Sequence, residues 1–174
     1  IDPKTNIGSR VTYYNNVKIR NLKNQKSEIT QVKGLPKNPK LSNISWSPDQ
    51  KRIALTNTTE TGVELWVLEL ENGSVTKLTD PNLNSNIGSV INWFSDSENM
   101  LVKMISRNRK PLIDTNKIVP DGPTISTNFG EKAQNRTYQD LLKNKFDEHN
   151  FEQLSTSTIY KVSIDGSVKK WMDD

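Results

Sequence analysis

Few side chains in this 174-residue chain are suited to chemistry, and their spacing restricts what they can do. Cysteine is absent, which excludes disulfides, thiolate metal sites and thiol nucleophiles together. Histidine occurs once, as His149 in FDEHNFE, where Asp147, Glu148 and Glu152 stand close by. On a helix His149 and Glu152 share a face at i, i+3. Zinc chelation by such a patch normally needs a second imidazole or the H-E-x-x-H spacing, so the patch reads as a solvated helix surface; no metal and no other cofactor is expected. Glycine precedes serine at Gly8-Ser9, Gly73-Ser74, Gly88-Ser89 and Gly166-Ser167. None of these has the G-x-S-x-G form that exposes a nucleophile on a strand-to-helix turn, and no catalytic residue is assigned.

The remaining candidates are cations. KMISRNRKPLIDTNK places Lys103, Arg107, Arg109, Lys110 and Lys117 together, and Arg136 follows in RTYQDLLK. Against 24 Lys and Arg stand 20 Asp and Glu, a net charge of +4. Nucleic-acid binding requires a basic face interleaved with aromatics or a recognisable motif; neither is present, and no nucleic-acid partner is expected. The plain account of the cluster is a solvated loop.

The elements that position these groups are short strands. In SWSPDQKRIALT a strand ends near Trp46, Pro48 and Asp49 form a type I turn, and a second strand starts at Arg52. Along that strand Ile53 and Leu55 point one way and Arg52, Ala54 and Thr56 the other, which predicts a hairpin with one buried face. The pattern recurs. NISWSPDQKRIALT (43–56) aligns with VINWFSDSENMLVK (90–103), so that Trp46 falls on Trp93 and Asp49 on Asp96, 47 residues on. Both aspartates are read as turn residues. A second hairpin type recurs as well, in NVKIRNLKNQKSEITQV, ELWVLELENGSVTKLT and TIYKVSIDGSVKKWM, with polar turns at Lys23-Asn24-Gln25, Glu71-Asn72-Gly73 and Asp165-Gly166.

Four short strands at a period near 47 describe a β-propeller blade, which must stack on its neighbours because it cannot bury both faces alone. The fold expected is all-β, a partial propeller of two to three four-stranded antiparallel blades with a loop-helix insertion. Blade parts fall at about 11–33, 41–79 and 89–172, within one domain segment spanning 1–174. Tryptophan and aliphatic residues are expected to fill the space between blades. The insertion, about 107–156, opens with a Pro-, Gly- and Asn-rich stretch. It then turns helical in RTYQDLLKNKFDEHNFEQL, where Tyr138, Leu141, Leu142 and Phe146 form one stripe, Phe151 and Leu154 continue it after a break, and Asn135 or Thr137 caps its start. No run approaches the roughly 18 apolar residues of a membrane span. The chain opens on IDPKTNIGSR, without Met or a leader pattern, and holds fewer blades than the four to eight of a closed ring; it is expected to be a piece of a longer protein.

ISWSPDQKRIALTN, TGVELWVLELENGSVTKLTDPNLN, NRKP, VPDGPTIS and RTYQDLLKNKFDEHNFEQLSTSTIYKV together resemble the propeller part of prolyl oligopeptidase family peptidases, most closely the glutamyl endopeptidase-like branch. The resemblance covers nearly the whole chain, and the RTYQDLLKNKFDE insertion at its place in the blade is its most specific part. It implies a two-part serine peptidase in which the propeller gates or positions peptide substrates for a separate α/β-hydrolase domain carrying a Ser-Asp-His triad. The catalytic domain is then outside this segment. Cleavage after Glu needs a cation near the specificity pocket, ideally Arg, and the resemblance makes Lys103, Arg107, Arg109 and Arg136 candidate substrate-binding residues. Enzymes of this branch work outside the bacterial cytoplasm or in the chloroplast; a periplasmic or secreted location is the expectation here. The competing class is a non-enzymatic TolB-like or WD-repeat-like propeller, and open sheet edges would allow self-association.

Overall fold

The computed structural model describes residues 2–22, 28–114, 117, 122, 129–130, 142 and 144–172. In chain order the elements are β1 (Lys18–Ile19), β2 (Thr30–Gln31), β3 (Leu41–Trp46), β4 (Arg52–Thr58), β5 (Val63–Glu69), β6 (Ser74–Lys77), β7 (Ile91–Trp93), β8 (Asn99–Ile105), α1 (Lys145–Ser155), β9 (Ser157–Ser163) and β10 (Val168–Met172). Strands β3-β4-β5-β6 form one antiparallel meander and β7-β8-β9-β10 a second, while β1 and β2 pair by themselves. The chain is thus a partial β-propeller with a helical insertion, which leaves the second sheet after β8 and returns at β9.

The turns follow the local chemistry. The carbonyl of Ser47 accepts the Gln50 N–H at 2.9 Å across Pro48-Asp49, and Gln50 takes a left-handed φ of 59°. Forty-seven residues later the carbonyl of Phe94 accepts the Ser97 N–H at 3.2 Å, and Ser97 has a φ of 60°. Asp49 accepts bonds from the Ser47 hydroxyl (2.6 Å) and the Lys51 N–H (3.1 Å); Asp96 accepts from Asn99 Nδ2 (2.7 Å) and the Glu98 N–H (2.9 Å). Both aspartates serve their turns, as the alignment requires. Gly73 and Gly166 adopt φ of 68° and 86° in the outer hairpins, where a side chain would be strained. The expected turn at Lys23-Asn24-Gln25 lies outside the described residues.

Burial departs from the one-faced hairpin. Ala54, Leu55, Thr56, Asn57 and Thr58 are all buried, so β4 is enclosed on both sides. One side is covered by residues 14–22 and 28–35: Val17, Ile19, Val32 and Leu35 pack on Leu41, Leu55, Leu68 and Val75. This strap is fixed at both edges of the sheet. Tyr14 and Leu41 exchange two backbone bonds of 2.8 Å at β3, and Lys33 bonds Gly73 and Val75 at β6. On the other side Ala54, Leu65 and Val67 meet Met100, Val102 and Val162 of the second sheet. Thr56 is tolerated there because its hydroxyl donates to the Ser42 carbonyl (3.1 Å) and accepts from Asn43 Nδ2 (3.0 Å).

Polar contacts register the two sheets. Trp93 Nε1 donates to the Ser45 carbonyl (3.2 Å), the Asp49 N–H to Ser97 Oγ (3.0 Å) and Arg52 Nη1 to the Ser97 carbonyl (3.3 Å). Leu83, fully buried, bridges Val63 and Met104, and Ile7 enters the same core from the N-terminal segment. The two tryptophans occupy equivalent register positions, opposite Ile53 and Met100. They are not equally buried: Trp93 packs on the shared core, whereas Trp46 is 56% exposed because no described strand covers it. The expectation that tryptophan fills the space between sheets therefore holds for Trp93 and fails for Trp46.

The helix begins later than its apolar stripe suggests. Asn144 Oδ1 accepts the N–H groups of Phe146 and Asp147 at 2.9 Å, an N-cap that starts α1 at Lys145. Leu142 therefore precedes the helix, while Asn135, Thr137, Tyr138 and Leu141 lie outside the described residues. No break separates Phe146 from Phe151 and Leu154. No described helix is long and apolar enough to cross a membrane. Where the chain re-enters the second sheet, buried Asn84 donates to the Leu154 (3.0 Å) and Thr156 (2.9 Å) carbonyls, and Asn86 to Leu154 (2.9 Å).

Two outcomes follow. Leu83→Ala truncates a fully buried side chain of the core common to both sheets and is expected to cost about 2–5 kcal/mol in urea unfolding at neutral pH; a loss below about 1 kcal/mol would show that this side chain contributes little to that core. Bonds to the carboxylates hold Asp49 (Ser47 hydroxyl foremost), Asp96 (Asn99 amide foremost) and Asp165 (Ser167 N–H foremost) below the usual carboxylate range. Groups depressed in the folded state stabilise above the ordinary carboxylate pKa and lose that contribution as pH falls through it to the folded value. The double variant Asp49→Asn, Asp96→Asn should therefore flatten the fall in urea midpoint between about pH 5 and pH 2, since the amide keeps an acceptor but does not titrate.

Candidate functional site

Between the segment that follows β6 and the second sheet runs a cleft of about 380 Å³, walled by Pro81, Asn82, Met104, Ser106, Arg107, Tyr160 and Val168. A neighbouring cleft of about 310 Å³ shares Asn82, Met104 and Val168 and extends past Lys77 and Asp80. Alternation along β8 and β9 aims these side chains. Met104 and Tyr160 lie on the sheet face that also carries Val102, while Leu101, Lys103 and Ile105 lie on the opposite one. The strand ends at Ile105, and past Ser106 Arg107 leaves at the cleft's rim. Lys77 bridges Glu64 (3.5 Å) and Asp80 (3.9 Å), which neutralises one end of the groove.

The four cations singled out from the sequence do not converge. Lys103 Nζ donates to the Ile87 carbonyl, and Arg109 Nη1 donates to Asn6 Oδ1. Burial lowers the pKa of both, and neither meets a carboxylate among the described residues. Their hydrogen-bonding capacity is turned toward the protein itself. Arg107 is exposed, faces the cleft and has no partner among the described residues. Arg136 lies outside the described residues. The geometry thus leaves Arg107 as the candidate placed to meet a ligand carboxylate, with the Tyr160 ring and Met104 as an apolar wall.

The patch around His149 serves a local purpose. Within residues 110–153, His149 Nε2 contacts the Pro111 carbonyl (3.1 Å), Asn150 exchanges two 2.8 Å bonds with the backbone of Ile113, and Gln153 Oε1 accepts the Lys110 N–H (2.8 Å). These side chains pin an extended stretch against the helix. Among the described residues no three His, Asp or Glu side chains gather so as to hold a metal ion. Sequence reasoning passed over Asn82, Tyr160 and the Asn84 clamp. Tyr160 was findable, since it alternates with Ile159 in TIYKV; the asparagines of DPNLNSN carry no periodic signal.

No protein-family model matches the chain. Among solved structures, the Pyrococcus horikoshii acylaminoacyl peptidase aligns with a TM-score of 0.36 and 26% identity over 60% of this chain and 14% of its own. An acylaminoacyl peptidase in complex with Z-Gly-Gly-Phe-chloromethyl ketone aligns with a TM-score of 0.37 and 19% identity over 90% of this chain and 28% of its own. Among curated proteins, the probable chloroplastic glutamyl endopeptidases of Arabidopsis thaliana and Oryza sativa subsp. japonica are 31% and 28% identical over 98% and 97% of this chain. The chain spans 18% and 19% of the length of these two relatives. Along nearly all of its residues the chain is therefore a homologue of one stretch of the glutamyl endopeptidases, peptidases of the prolyl oligopeptidase family.

Proposed function

We propose that the chain is the non-catalytic propeller segment of a serine peptidase, which gates and positions peptides for a separate α/β-hydrolase domain. The observation that carries this reading is the 31% identity to a probable glutamyl endopeptidase along 98% of the chain. The chemistry agrees: the chain has one histidine, no cysteine and no G-x-S-x-G elbow, so the nucleophile and its base must come from elsewhere. A rigid stack of sheets suits a gate, because a passage between fixed walls admits an extended peptide and rejects a folded protein.

Within this reading Arg107 recognises acidic side chains of the substrate. Its planar guanidinium can grip a carboxylate with two parallel bonds, and at the cleft rim it does so without first breaking an internal contact. Lys103 and Arg109 would have to surrender their bonds to Ile87 and Asn6 before engaging a substrate.

The test uses the segment alone and joined to its hydrolase domain. Alone, it is expected to leave glutamyl peptides uncleaved. In the joined protein Arg107→Ala should lower kcat/KM for a Glu peptide roughly tenfold relative to the matching Gln peptide, the worth of one charge-assisted contact. Lys103→Ala and Arg109→Ala should change both substrates in parallel. An unchanged Glu/Gln ratio in Arg107→Ala removes that residue from substrate recognition.

A further inference from the structure

The outermost strands of the two sheets open on the same three residues, Gly73-Ser74-Val75 and Gly166-Ser167-Val168, yet only the first is closed along its outer edge. At β6 the Lys33 N–H donates to the Gly73 carbonyl (2.8 Å) and the Lys33 carbonyl accepts the Val75 N–H (2.9 Å), a parallel bridge that completes the strand's hydrogen bonding. A Cβ at Gly73 would meet Thr30 Cγ2 at 3.3 Å, whereas a Cβ at Gly166 would meet nothing within 4 Å. No described residue takes the place of Lys33 at β10.

The ladder identifies the groups left over. The Ser163 N–H donates to the Ser167 carbonyl (2.9 Å), so that opposed pair is the hydrogen-bonded one and the next, Val162 and Val168, is not. The N–H and C=O of Val168 therefore point away from β9, as the N–H of Val75 points to Lys33. The Val168 side chain is 45% exposed and lines the groove beside Met104 and Tyr160. Open backbone edge and apolar wall thus border one groove, since Val168 belongs to both of its clefts. At one end Lys77 is already matched by Glu64 and Asp80; at the other Arg107 is exposed and has no partner among the described residues. The unmatched charge of the groove is the Arg107 guanidinium.

We propose that β10 accepts an extended segment of another polypeptide as an added parallel strand, laid in this groove, with an acidic residue two positions after a large apolar one. Backbone bonds hold the segment: one of its carbonyls accepts the Val168 N–H and one of its N–H groups donates to the Gly166 carbonyl, as Lys33 does for Val75 and Gly73. The bridge at β6 sets the direction. A strand parallel to β10 runs from the Asp165-Gly166 turn toward Met172, opposite Ile159, and so toward the end of the sheet where β8 stops and Arg107 leaves. Its apolar side chain meets Met104, Tyr160 and Val168 first, and its carboxylate meets Arg107 afterwards. Residues two apart on a strand face the same way, about 7 Å from one another. The inference rests on the proposed function only in giving Arg107 a carboxylate to bind; it needs no hydrolase domain.

The probe is the peptide acetyl-TSTLTETS-amide, rich in strand-forming Thr, titrated up to about 1 mM into the isotope-labelled 174-residue chain and followed by NMR. Saturable shifts of the Val168 amide and the Arg107 side-chain N–H are expected, with slowed solvent exchange at Val168. Replacing Glu by Gln in the peptide, or Arg107→Ala in the chain, should each weaken binding roughly tenfold, and the two together no further, because both delete one charge-assisted contact. Val168→Pro removes the outward N–H without touching the ladder to β9 and should abolish binding. An unmoved Trp93 indole resonance certifies the fold of each variant; should Val168→Pro lose it, Arg107→Ala, at an exposed position past the strand end, decides alone. Three results overturn the proposal: Val168 and Arg107 signals indifferent to the peptide, equal or tighter binding of the reversed order acetyl-TSTETLTS-amide, or shifts that follow the chain's own concentration with a doubling of mass, which would make a second copy the occupant. Because binding is read in the chain alone and the Glu/Gln ratio of kcat/KM in the joined protein, failure of one is distinguishable from failure of the other.

Discussion

A four-stranded sheet has two faces, and the structure depends on shutting both faces of β4 away from water. Ala54 and Leu55, adjacent in sequence and pointing in opposite directions, are 0% and 1% exposed. Such a strand cannot be stable in a lone meander, since one side would always be wet. The second sheet closes one side and the strap of residues 14–22 and 28–35 the other. Each burial alone is worth a few kcal/mol by area, but they are cooperative, because the same backbone ladder serves both. The local elements here are short, and most of their stability is borrowed from whatever lies across the face.

This constraint explains why the contacts between sheets are partly polar. Apolar burial is indifferent to a slip along the strand, whereas the Trp93–Ser45 and Asp49–Ser97 bonds form in one register only. The left-handed residue in each turn places its neighbour's N–H or its own hydroxyl where the next sheet can reach it. A type I turn with one left-handed residue thus does two jobs: it closes a hairpin and it offers a polar contact to the following hairpin.

Much of this architecture is legible in the chain. Trp46 and Arg52 mark the strand ends, the 47-residue offset pairs the two inner hairpins, and the insertion falls between β8 and β9, all from turn chemistry and alternation, which are local. What was not legible depends on what lies opposite. Nothing in RIALT says that its second face is covered, because Ala54 and Thr56 are as compatible with solvent as with a tight sheet interface. Nothing in the apolar spacing marks the start of α1, which is set by Asn144 accepting the N–H groups of Phe146 and Asp147. Identical register positions gave Trp46 and Trp93 the same expectation, although exposure is a property of the neighbour and not of the residue.

The cations make the same point for function. Lys103, Arg107 and Arg109 fall within seven residues of one another, so charge counting treats them as one patch. Strand geometry separates them. Lys103 is inside β8, where alternation sends it to the face opposite Met104 and back onto a carbonyl. Arg109 lies past the bend and is tied to a buried asparagine of the N-terminal segment. Both bear a desolvation cost that lowers their pKa, which a site intended for an incoming anion would gain from only if the cation faced outward. Arg107 sits just past the end of β8, where the insertion opens, and no ladder dictates its direction. A residue just past a strand end is held at one side by the sheet and free at the other, a placement that suits recognition better than either the ladder or the loop.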